Sequence, residues 1–148
     1  MNELMEKQLP ELGFDKAYGN DYAEVFKNED KKTIACTITA DYVPIRFFIE
    51  TFNQVSKIAQ SAKFERFIFD KRELRTFHQP SMEWYFIEWK TKMIDYGLVK
   101  HRKLLPDLKW FVKAVEIAKQ PLLDRLSDEE KNRMDIVYCE SLEEALEK

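Results

Sequence analysis

The sequence predicts an α/β fold, a mixed five-stranded sheet in the order strand, strand, helix, strand, helix, strand, helix, strand, helix. Three observations carry that prediction. Phe67, Ile68 and Phe69 form an uninterrupted apolar triplet, the pattern of a strand covered on both faces. From Ser81 the period changes to that of a helix. Met82, Tyr85, Phe86, Trp89, Met93 and Tyr96 fall on one stripe, and Gly97 stands where a left-handed C-terminal cap is needed. A buried strand feeding a helix that must pack back onto it is half of a strand–helix–strand unit.

The remaining elements follow in chain order. Residues 1–20 carry Leu4, Met5, Leu9, Leu12 and Phe14 loosely spaced around Pro10, and are expected to form an N-terminal arm before a single domain over 21–148. Residues 22–26 read as a first strand, with turn chemistry in Asn28, Glu29 and Asp30. Residues 33–39 alternate, placing Ile34, Cys36 and Ile38 on one face and Thr33, Ala35, Thr37 and Thr39 on the other, so a β-hairpin is expected. Pro44 suits a first helical turn, where its missing N–H is not needed. Ile45, Phe48, Ile49, Phe52, Val55 and Ala59 continue as one helical stripe to about Ser61. Beyond the central helix, residues 100–105 predict a short fourth strand closed by Pro106. Leu108, Phe111, Val112 and Val115 predict a helix face that Pro121 interrupts. Residues 135–139 are a fifth strand, and Ser141 with Glu144 forms a capping box for a last helix.

A chain of 148 residues, 45% hydrophobic and 34% charged, has the size and composition of one globular domain. Its net charge of −3 argues against a dedicated nucleic-acid binder, whose footprint is basic. Cys36 and Cys139 lie in separate apolar runs without CxxC spacing and read as reduced core thiols. No apolar run approaches a membrane span, and residues 1–19 are acidic and broken by Pro10 and Gly13, unlike a signal or transit peptide. The expected location is the cytoplasm.

Catalytic patterns are sparse. His78 and His101 lack an i+4 histidine, and there is no HExxH or Cys/His cluster, so no metal is expected. With three glycines there is no phosphate-cradling loop and no dinucleotide fingerprint, so no cofactor is expected. Ser81 beside His78 imitates a nucleophile and its base, but Ser81 is expected to cap the helix. The chain therefore does not read as an enzyme. Two other features stand out. Asp70, Arg72, Arg75, His78 and Ser81 gather between the central strand's C-terminal end and the next helix, where open α/β sheets take ligands. Trp84, Ile87, Thr91 and Ile94 form a second stripe opposite the main apolar face, which predicts cover by another segment or by a second chain.

The element order resembles the STAS fold of anti-sigma-factor antagonists, most closely its SpoIIAA-like, STAS/SEC14-related branch. The resemblance spans roughly residues 22–148. It rests on the hairpin over 22–39, the run RFIFDKREL from Arg66, the aromatic helix SMEWYFIEW from Ser81, and the ending MDIVYCESLEEALEK. It implies helices mainly on one side of the sheet, no catalysis, and a regulatory module that binds itself, as a homodimer, or another protein. Lipid-carrier relatives imply an alternative, a small apolar ligand in a cleft beside the helices. The Asp-Ser-Ser-Gly motif of the phosphorylated antagonists is absent. Phe77, His78, Gln79, Pro80 and Ser81 stand in its place, which leaves Ser81 as the phosphorylation candidate.

Overall fold

β4 (Arg66–Asp70) is buried at every position, as its apolar triplet predicts, and the sheet extends outward from it on both sides. The structure is a computed structural model that describes residues 7–148. β1 (Asp15–Gly19), β2 (Ala23–Asn28) and β3 (Thr33–Ile38) form an antiparallel meander. β4, β5 (Lys100–Leu104) and β6 (Asp135–Tyr138) add to β3 in parallel, so spatial order follows chain order.

The sheet has six strands, not the five expected. β1 comes from the stretch read as an arm, and four of its five residues are exposed. An edge strand with little burial leaves no alternating apolar signal. Before it, a 3-10 turn (Leu9–Leu12) buries Leu9, and Phe14 follows into the core. The arm's first six residues lie outside those described.

α1 (Ile45–Ser61) follows β3 as expected. The central helix starts at α2 (Gln79–Glu83), passes through a π-helical stretch (Trp84–Trp89) and ends in α3 (Lys90–Asp95). Ser81 is therefore a residue of the first turn and not the cap; the cap position is His78. The π stretch adds a residue to the turn. That turns Lys90 and Ile94 inward beside Tyr85, Phe86, Trp89 and Met93, while Tyr96 is exposed. Gly97 has φ 94°, the left-handed cap the sequence predicts. α4 (Lys109–Asp124) runs through Pro121 where an interruption was expected. Pro121 stands in the last turn, so only the Ile117 carbonyl loses its helical donor. α5 (Asp128–Arg133) is capped reciprocally by Ser127 and Glu130. α6 (Leu142–Glu147) is capped by Ser141, which accepts from the Glu144 N–H, while Glu144 accepts from Glu140 N–H.

Parallel crossovers of one hand, all stepping in the same direction, place α1, α2–α3 and α4 on one face of the sheet. That face carries an aromatic core centred on Phe52, whose ring lies within 6.4 Å of those of Phe48, Phe67, Phe69, Trp84, Tyr85 and Trp89. The opposite face is thinner: Phe26, Ala35, Ile68 and Leu104 are covered by Leu9, Phe14, Leu142 and Ala145. Strand register lines up two rows under the helices, Ile34–Phe67–His101–Ile136 and Cys36–Phe69–Lys103–Tyr138. Cys36 and Cys139 are both free and buried. Among the described residues no helix is long and apolar enough to cross a membrane.

Candidate ligand site

The expected ligand region is divided by the sheet. Asp70 ends β4 on the thin face, where its carboxylate accepts from Arg72 Nε at 2.9 Å and Nη2 at 2.8 Å. Arg75 Nη1 donates to the carbonyls of Arg72 and Leu74. Arg72 and Arg75 border an open groove of about 740 Å³ that also contains Lys119 and Tyr138. His78 and Ser81 lie elsewhere, in a separate cavity at the C-terminal ends of β3 and β4.

That cavity follows from local sequence. Lys71 N–H donates to the Leu104 carbonyl at 2.8 Å, which extends the β4–β5 ladder by one residue before the chain turns away. The loop from Lys71 to His78 then returns over the strand ends to start α2. It encloses a cavity of about 60 Å³ between Phe48 of α1, Phe69, Phe77, Met82, Tyr85 and Phe111 of α4. By the volume one water-sized probe needs, this is room for about four such groups. Its polar members are few, which is usual for a small-molecule site. The Lys71 amine lies 5.0 Å from the Phe69 ring centroid, and burial lowers its pKa to about 8. The Tyr85 hydroxyl is buried with no hydrogen-bond partner among the described residues, and desolvation raises its pKa. His78 Nδ1 and Ser81 Oγ lie 2.8 Å apart. This is the spacing of a nucleophile and base, but among the described residues no carboxylate hydrogen-bonds to the His78 ring to complete a triad. Ser81 is itself buried.

Behind Tyr85 are two cations that sequence patterning missed. Lys90 is 0% exposed and Lys103 2%. Lys90 Nζ lies 5.4 and 4.6 Å from the ring centroids of Tyr85 and Phe86, and Lys103 Nζ lies 4.8 and 4.9 Å from the same two rings. Desolvation lowers Lys90 to about 7 and lowers Lys103 well below the usual lysine range. Neighbouring lysine charges add to the effect of burial at both amines. In the adjacent row His101 Nε2 meets the Leu98 carbonyl at 2.7 Å, and burial pushes its pKa down. The signal in the sequence was the alternation in β5: Lys103 is in phase with His101, and both share the face of Phe67 and Phe69.

The second stripe of the central helix faces a groove of about 780 Å³ beside α1 and α5. Trp84, Ile87 and Thr91 are half-buried there, and Ile94 is buried within the chain. Trp84 packs edge-on against Phe48 and Phe52, with centroids 6.1 and 6.4 Å apart.

A group of three or more metal-binding side chains is absent among the described residues. Comparison of the chain with protein-family models, curated proteins and solved structures found no match, so the fold and the geometry of its strand ends are the basis for a functional reading.

Proposed function

We propose that the protein is a non-catalytic binding module of the STAS-like, SpoIIAA-like kind, regulatory and cytoplasmic, which takes a small and largely apolar ligand at the C-terminal ends of β3 and β4. The observation that carries this reading is the cavity between Phe48, Phe69, Phe77 and Phe111. Its apolar walls meet only a few polar residues, notably Lys71 and Tyr85, whose hydroxyl has no hydrogen-bond partner among the described residues. Supporting it, the site lies outside the carboxyl ends of parallel strands, the usual ligand position in open α/β sheets. Helices on one side of the sheet also suit the STAS resemblance.

A second reading is a protein-interaction module, a homodimer in its simplest form, docking through the groove of Trp84, Ile87 and Thr91. It is favoured by half-buried apolar side chains bordering an open groove. Native mass spectrometry of the protein purified from its own cells tests both readings at once. The expected result is a monomer carrying a small molecule. A dimer without added mass supports the second reading instead, and a bare monomer contradicts both.

A further inference from the structure

Lys71, Lys90, Lys103 and Lys119 come from four different places, the end of β4, the start of α3, β5 and α4, yet their amines lie on neighbouring rings: Lys90 and Lys103 over Tyr85, Lys71 over Phe69 and Lys119 over Tyr138, with Lys103 in register between Phe69 and Tyr138. None of Lys71, Lys90 and Lys103 is in an ion pair among the described residues, and the charges acting on them are those of other lysines. Lys119 Nζ donates to the Tyr138 hydroxyl at 3.2 Å. Among the described residues, Lys90 Nζ and the Tyr85 hydroxyl have no hydrogen-bond partner. Buried like charges with no counter-ion are unfavourable unless they give up protons or an anion joins them. Two openings flank this cluster: the cavity bordered by Lys71 and Phe111, and the groove bordered by Lys119 and Tyr138. The groove also carries Asp107, Glu116 and Glu140, which repel an extended polyanion but leave room for a single oxyanion.

We propose that these lysines and the Tyr85 hydroxyl form an oxyanion site, and that the ligand is a small organic acid. Its carboxylate is held by Lys71 and the Tyr85 hydroxyl with the Lys90–Lys103 pair behind, and its apolar body lies against Phe69, Phe77 and Phe111. This deepens the ligand reading above and rests on the same cavity. A carboxylate supplies the acceptors that the amines and the hydroxyl lack, and its charge returns protons to lysines that burial has stripped of them.

Thermal unfolding at pH 7.5 with propionate, its neutral amide propionamide, or inorganic phosphate tests the assignment. At tenfold over its dissociation constant, propionate is expected to raise the midpoint by about 3 °C. Propionamide is expected to do much less, and Lys71→Met, at a half-buried position, is expected to fold and to lose the response. Equal shifts with acid and amide would overturn the oxyanion site and leave the apolar cavity as the ligand reading. A phosphate shift without a propionate shift would support the oxyanion site and overturn the organic body. No shift with any probe, or an undiminished response in Lys71→Met, would overturn the proposal.

Discussion

Arg102 and Lys103 are neighbours on β5, each 2% exposed, and the two faces of the sheet treat them in opposite ways. Arg102 points to the thin face, where its guanidinium donates to the Asp135 carbonyl at 2.8 Å, the Asp135 carboxylate at 3.2 Å and the Lys148 carbonyl oxygen at 2.6 Å. Lys103 points under the helices, where aromatic rings and other amines surround it. Both terminal nitrogens of Arg102 find acceptors, although Nε has none among the described residues, and those bonds join β5, β6 and the end of α6. Among the described residues Lys103 has no acceptor of that kind, and burial answers by holding its pKa well below the usual lysine range, so one face carries a paired cation and the other an amine that burial disfavours as a cation.

Substitutions on the two faces should therefore have opposite signs. The largest effect is expected from Arg102→Met, which strands two carbonyl acceptors and removes charge-assisted hydrogen bonds. The Asp135 side chain is 52% exposed and returns to water, so the loss is set at about 2–3 kcal/mol, read by urea denaturation. A loss below about 0.5 kcal/mol would make Arg102 no more than a surface cation. Lys90→Met keeps the side chain's length and removes its charge, and is expected to stabilise the ligand-free protein by about 1–2 kcal/mol in the same assay. A loss of that size would mean that the amine already has a partner.

This contrast also marks how far the sequence can be read. Wherever the apolar pattern determines structure, it was legible: the Phe67–Ile68–Phe69 strand, the α1 stripe from Ile45, the alternation of Ile34, Cys36 and Ile38, and the cap at Gly97 all stand where periodicity puts them. β1 was not legible, because edge pairing uses backbone groups that every residue has. The candidate ligand region was legible only as a place. Asp70, Arg72 and Arg75 are close in sequence to His78 and Ser81, but the pleat sends Asp70 to one face while the loop carries His78 and Ser81 back over the other. Lys90 and Lys103 were hidden more deeply. Lysine in a helix or in an alternating strand ordinarily signals solvent, and only the π-helical turn at Trp84–Trp89 brings Lys90 inward over Lys103. The short-range chemistry of the site is therefore made by long-range packing.

Whether these amines are buried without counter-ions is decided by the pH dependence of unfolding between pH 7 and 8.5. Lys90 and Lys71 titrate at about 7 and about 8 when folded, whereas an unfolded lysine does so near 10.4. In that window the unfolded chain holds protons that the folded protein has released, so stability must rise with pH. Lys103, over the same Tyr85 and Phe86 rings as Lys90, contributes in the same direction, Lys119 lies over Tyr138, and His101 is already neutral in the folded protein. The raised Cys36 and Tyr85 act with opposite sign, but only where unfolded thiols and phenols ionise, at about 8.5 and above. The unfolding free energy of the wild type is predicted to increase by at least about 2 kcal/mol from pH 7 to 8.5, and that of Lys90→Met by clearly less. A flat or falling profile in the wild type, or identical slopes in the two proteins, would contradict the unpaired lysine cluster and with it the ligand site built upon it.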